Sequence, residues 1–194
     1  MSLAPTVARD SVLQRRLTLA EMLSVESFSE VVKGFVELYK IGIKVFDEKG
    51  TKLADIKIGN GDFCGYVFSF PEGRSKCTAT VGRVKDGPLA TTHGARLPVL
   101  DEKLPNLVGL VTAPCFTGLK YLILPVLWEG DPMGRIVFGP FAPEEFDQFP
   151  VTLAELNTGF DLKNASALVA KVRHASESTV ARVLAHFAQI LETL

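Results

Sequence analysis

The chain has 194 residues, 47% of them hydrophobic and 22% charged, with a formal net charge of −1. Such a length fits one domain of ordinary size with terminal extensions, and such a composition builds a core without staples, which excludes global disorder. A balance this close to neutral excludes the basic footprint of nucleic-acid binding, so the short clusters at Arg15–Arg16 and at Arg83 with Lys85 read as solvated faces.

The opening residues lack the basic-then-apolar pattern of a signal peptide, and the expected location is the cytoplasm. Over residues 13–39, Leu17, Phe28, Val31, Val32, Phe35 and Leu38 recur at spacings of three and four, among others, which predicts an amphipathic helix or two helices split near residues 24–27. Ser27 followed by Glu30 resembles a capping box and places the start of the second helix there. Alternation of Ile41, Ile43 and Val45 then predicts a half-buried strand, Asp47-Glu-Lys-Gly50 a turn, and Leu53, Ile56 and Ile58 the return strand of a hairpin.

Helical spacing resumes at Phe63, Tyr66, Val67 and Phe70, and a second helix is expected over residues 71–85, with Pro71 near its first turn and Gly87-Pro88 past its end. Residues 88–105 are poor in periodicity and read as a loop or insertion. A strand is expected over residues 107–113. The clearest hairpin follows: strand 119–128, a turn at Glu129-Gly130-Asp131-Pro132, and a return strand over residues 133–141. Residues 121–128 are the longest apolar stretch; at eight residues, with Pro125 inside it, this run is far short of the about 20 residues of a membrane span.

Pro143 with Glu144 and Glu145 looks like a helix start, and Pro150 an interruption. The last helix is expected from about Glu177 to Leu194. There Val180, Val183, Phe187, Ile190 and Leu194 repeat at spacings of 3, 4, 3 and 4, the pattern of a coiled-coil seam, which makes homodimerisation through this helix an expectation. The sequence divides into an N-terminal helical extension (residues 1–27), a central domain (28–150) and C-terminal helices (151–194). Helix, two strands, helices, three strands, helices is the order of an α+β domain: an antiparallel sheet of about five strands flanked by helices, with room for a pocket between sheet and helices.

Chemistry-bearing residues are few. The three cysteines, Cys64, Cys77 and Cys115, are separated by 12 and 37 residues, and none forms a Cys-x-x-Cys pair. Their odd number and spacing point to reduced thiols. Two readings stand: small buried hydrophobes, or convergence on one site that holds a ligand or a soft metal. His93, His174 and His186 form no pair at helical spacing, so packing or surface roles are expected. No nucleophile elbow, phosphate loop, dinucleotide fingerprint or zinc-protease motif occurs, and no motif names a cofactor. Phe63, Tyr66, Phe116, Tyr121 and other aromatics flank the expected pocket; most belong to the core and a few would line it.

Several short pieces carry a resemblance in order. These are Ile43-Lys-Val-Phe-Asp-Glu-Lys-Gly50, Phe63-Cys64, Pro71-Glu-Gly-Arg-Ser-Lys-Cys77, Cys115-Phe-Thr-Gly-Leu119, Leu124-Pro125, Glu129-Gly130, Gly134 and Gly139-Pro140-Phe141. Over residues 28–141 the chain resembles the sensory domains of PocR type, which are similar to PAS domains in fold. The resemblance implies a non-enzymatic sensor of a small organic molecule that feeds a signalling output, with Cys64, Cys77 and Cys115 facing one site and Phe63 and Tyr121 beside it. One departure stands out: family members often carry His directly after the third cysteine, and this chain has Phe116. Three functional classes follow. A ligand sensor requires a closed cavity near Cys115 and Tyr121, an interaction module a filled core with an exposed apolar patch on the last helix, and a cysteine enzyme an exposed thiol of depressed pKa.

Overall fold

Strict alternation along the first strand decides which elements the sheet holds on each side. The computed structural model describes residues 18–22, 25–57, 61–86, 109–128, 131–156 and 159–192. The sheet has five strands: β1 (Ile43–Asp47), β2 (Lys52–Ile56), β3 (Val111–Pro114), β4 (Lys120–Trp128) and β5 (Asp131–Phe141). All pairings are antiparallel, in the order β2-β1-β5-β4-β3, so β1, β5 and β4 are interior and β2 and β3 form the edges. Among the described residues seven helices surround it: α1 (Leu19–Met22), α2 (Val25–Tyr39), α3 (Gly61–Ser69), α4 (Pro71–Asp86), α5 (Val151–Ala154), α6 (Leu162–Val169) and α7 (Glu177–Glu192). This is the α+β, PAS-like arrangement expected from the order of elements. None of the described helices is long and apolar enough to cross a membrane.

One face of the sheet is closed. Ile43 and Val45 of β1, Leu122 and Leu124 of β4, and Ile136 and Phe138 of β5 pack with Phe28, Val32 and Val36 of α2 and with Val180, Leu184 and Phe187 of α7. Phe187 meets the rings of Phe28, Phe35 and Phe138 at centroid distances of 6.3, 5.1 and 5.8 Å. The opposite face carries Phe46, Tyr121, Ile123 and Val137, over which α4 places Val84. A further cluster, built by Phe63, Val67, Leu153, Leu156, Phe160 and Val169, joins α3 to α5 and α6.

The turn between β1 and β2 is stabilised locally. Asp47 Oδ1 accepts hydrogen bonds from the backbone N–H of Lys49 (3.0 Å) and Thr51 (2.6 Å), while Gly50 takes φ +74°. At the joint between α3 and α4, Gly73 is obligatory for another reason: a Cβ there would fall on the Val67 carbonyl oxygen.

Several expectations need correction. Ser27 lies inside the first turn of α2, which begins at Val25. The capping box is instead Thr18 with Glu21, where Thr18 Oγ1 accepts from the Glu21 N–H (3.3 Å) and Glu21 Oε2 accepts from the Thr18 N–H (3.0 Å). Glu144 and Glu145 form a turn, not a helix, and Pro150 stands at the start of α5 rather than interrupting one, because its fixed φ suits a first turn. Asp131 and Pro132 belong to β5, paired with Trp128 and Leu127, which shortens the hairpin turn. Helix α6, whose N-cap Asp161 accepts from the Lys163 N–H at 2.8 Å, falls within the expected C-terminal helices, although the sequence pattern sets no boundary for it. Finally, Val180, Val183 and Phe187 of the seam are buried in the chain's own core, so hydrophobic burial uses them within the protomer; Leu194 lies outside the described residues. The expected loop over residues 88–105 and His93 also lie outside them.

Candidate functional site

Between the second face of the sheet and the pair α3–α4 lies an open cleft of about 700 Å³. Its floor is Lys44 and Phe46 of β1, Asp55 and Ile56 of β2, Tyr121 of β4 and Gly139-Pro140 of β5. Its walls are Cys64, Gly65 and Phe68 of α3, and Cys77, Val81 and Lys85 of α4. The volume is that of a small-molecule site.

Three of the five residues singled out in the sequence meet here: Cys64, Cys77 and Tyr121. Cys64 and Cys77 are half-buried and Tyr121 is buried. The other two sit elsewhere. Phe63 is fully buried in the α3–α5–α6 cluster, stacked on Phe149 at 5.9 Å, because successive helical positions diverge by a quarter-turn or more and only Cys64 turns to the cleft. Cys115 follows β3 in the turn that leads to β4, where its N–H donates to the Leu119 carbonyl (2.7 Å) and its Sγ accepts from Thr117 Oγ1 (3.1 Å). It packs behind the cleft against the cluster containing Tyr121.

The thiols nonetheless feel one another. Burial pushes the Cys77 thiol up from its ordinary pKa; Cys115 adds to the rise, and Lys44 and Lys57 work against it. Burial likewise holds the Tyr121 phenol well above its ordinary value, with Cys115, Cys64 and Cys77 each contributing. No disulfide links the cysteines. Among the described residues no group of three or more His, Cys, Asp or Glu side chains could hold a metal ion, so Cys64, Cys77 and Cys115 do not form a three-thiolate site there. His174 packs edge-on against Phe146, and His186 is exposed.

Sequence reasoning missed the charged residues of the cleft: Lys44, Lys52, Asp55, Lys57 and Lys85. Lys44 was visible only as the polar member of an alternating strand, which ordinarily means a solvent-facing side chain. It also missed a tie between the sheet and the last helix. Next to Tyr121 on β4, Lys120 Nζ donates to Glu177 Oε1 at 2.5 Å, and Thr112 Oγ1 of β3 donates to Glu177 Oε2 at 2.9 Å. Partial burial opposes ionisation of Glu177, but these two hydrogen bonds and the Lys120 charge outweigh it and hold the carboxyl below its ordinary value. Glu177 opens α7, where a carboxylate also complements the helix dipole.

Comparison with known proteins returns one family. The profile described as the sensory domain found in PocR matches residues 21–194, which includes β1–β5, the cleft and α7. No curated protein and no solved structure gives a match. A match over nearly the whole length, on a chain whose fold is the PAS-like one implied by its short motifs, means that this protein belongs to the PocR sensory-domain family.

Proposed function

We propose that this chain is a non-enzymatic, cytoplasmic sensory domain that binds a small organic ligand in the cleft between the sheet and α3–α4, and signals through α7. The single observation that carries the reading is the cleft of about 700 Å³ lined by Cys64, Cys77 and Tyr121. An interaction module with a filled core has no use for such a volume. The raised pKa of Cys77 speaks against a thiolate nucleophile, which needs the opposite shift. Membership of a sensory family points the same way. A formal charge of −1 leaves nucleic-acid contact to some other part of the signalling system.

Transmission runs along β4. A ligand that displaces Tyr121 moves Lys120 beside it, and with it the tie to Glu177 at the start of α7, biasing two positions of that helix. Homodimerisation is retained in the proposal only at the end of α7, near the half-buried Ile190, because Val180, Val183 and Phe187 are already in the core. Light scattering on the purified chain tests this, and a monomer at all concentrations removes it.

The test of ligand binding is a thermal-shift screen of small organic compounds on the wild type and on Gly65→Trp. Gly65 lines the cleft with open space around a Cβ, so an indole there occupies the cleft without a clash at its base. A ligand at 100 times its dissociation constant stabilises the wild type by about 2.7 kcal/mol and leaves the variant unmoved. Stabilisation that persists undiminished in Gly65→Trp places the ligand elsewhere and sinks the reading.

A further inference from the structure

The charges of the cleft narrow the ligand's chemistry; this inference rests on the sensory reading above. Four lysines, Lys44, Lys52, Lys57 and Lys85, line it against one carboxylate, Asp55. Two of the four are engaged. Lys52 Nζ pairs with Asp55 Oδ2 at 2.8 Å, and Lys85 Nζ leans on Asp86 at 3.9 Å. Neither Lys44 nor Lys57 makes an ion pair or a side-chain hydrogen bond among the described residues.

Lys44 is the informative one. It sits on β1, a central strand, half-buried and facing the cleft beside Phe46. A lysine there loses hydration, and proteins ordinarily offset that with a carboxylate. The carboxylate is in place: Asp55 is the direct register partner of Lys44 across β1–β2. Yet Asp55 gives its Oδ2 to Lys52, and its buried Oδ1 makes no hydrogen bond. Lys57 follows β2 by one residue and stands two positions from Asp55, the register partner of Lys44, so the two lysines line the cleft as diagonal neighbours across the strand pair. The larger uncharged side chains of the lining, among them Phe46, Phe68, Val81 and Tyr121, are apolar or aromatic.

We infer that the cleft binds a small organic anion, a carboxylate or phosphate monoester with an apolar body, whose acid group sits between Lys44 and Lys57 and whose body lies against Phe46 and Tyr121. Binding brings Lys44 the counter-charge that Asp55 withholds. Charge-assisted hydrogen bonds to an ammonium supply the preference over a neutral molecule of the same shape.

Titration calorimetry with matched pairs tests this: octanoate against octanamide, 4-phenylbutyrate against 4-phenylbutyramide, and phenyl phosphate against phenol, on the wild type, Lys44→Gln, Lys57→Gln and Gly65→Trp. The expected result is an acid or phosphate that binds at least about tenfold more tightly than its neutral partner. That advantage shrinks as salt is raised, falls about tenfold in each lysine variant, and vanishes with Gly65→Trp. Lys57 is exposed, so its variant tests the charge without risk to the core. Equal binding of a pair, or an acid indifferent to both lysine variants, overturns the inference. A neutral compound that binds and is expelled by Gly65→Trp overturns the anion while leaving the sensor intact. Binding of neither member of any pair overturns the anionic assignment, and loss of all screened ligands would take the sensory reading with it.

Discussion

The two faces of one sheet serve different ends, although they are made from alternate residues of the same strands. On the closed face Val45, Leu122, Ile136 and Phe138 pack with α2 and α7 in one buried cluster. On the other face their immediate neighbours Lys44, Phe46, Tyr121 and Val137 meet α4 only in part, and the rest is the cleft. Helices α3 and α4 approach each other closely at Gly73, and of this pair Val84 packs on the sheet while Cys64, Gly65, Phe68, Cys77, Val81 and Lys85 line the cleft. On the proposed reading the closed face carries stability and the open face binding, and a shift of register by one residue would exchange them.

The contrast is broken most severely at Phe187, the aromatic hub of the closed face. Phe187→Ala removes a fully buried ring that touches three others, and the expected cost is about 3–5 kcal/mol, read from denaturant unfolding. Ligand affinity in the fraction that stays folded should be little changed. Gly73→Ala does the reverse. Its methyl collides with the Val67 carbonyl, so α4 must shift relative to α3, at about 1–3 kcal/mol, and ligand binding should fall out of proportion to stability. Equal loss of both in the two variants would mean that the faces are not separable.

The tie between β4 and α7 sharpens the comparison at smaller amplitude. Glu177→Gln should cost at most about 1 kcal/mol near neutral pH, since the ion pair with Lys120 is partly exposed. Because the folded-state pKa of Glu177 is depressed, its contribution is fully present above the unfolded carboxyl pKa, ordinarily 4.5, and is lost as pH falls through the lower folded value. The stability gap between wild type and Glu177→Gln should therefore close in acid; a gap independent of pH would show that the charge is not what holds α7. Smallest of all is a kinetic effect. Cys77, with its raised pKa, should alkylate more slowly than a free thiol at mildly alkaline pH, and more slowly still once a ligand fills the cleft. Labelling followed by peptide mass spectrometry measures it, and a rate above that of a free thiol would return the cysteine enzyme to consideration.

Local signals were enough for the elements that local interactions stabilise. The β1–β2 turn was legible from Asp47 and Gly50 because one side-chain oxygen and one positive φ make it. Helices α3 and α4 were legible from apolar spacing and Pro71, and the β4–β5 hairpin from two apolar runs around a polar turn. The failures came where a local pattern had more than one tertiary use. Ser27 with Glu30 fits a capping box but stands within α2, and the heptad spacing of α7 serves a sheet as well as it would serve a second helix.

The site divides along the same line. Sequence alone determined the α+β order, the PAS-like sheet and the family, because periodicity, turn residues and short ordered motifs are written along the chain. It also pointed to Cys64, Cys77 and Tyr121, which share the cleft, and to Phe63 and Cys115, which do not line it. Only the tertiary structure decided that the polar side of β1 faces a cleft rather than water, and that Asp55 turns to Lys52 rather than Lys44. Alternation tells which residues share a face. What covers that face, and which of two lysines a carboxylate meets, depends on distant segments brought together by folding, and no local pattern encodes that distance.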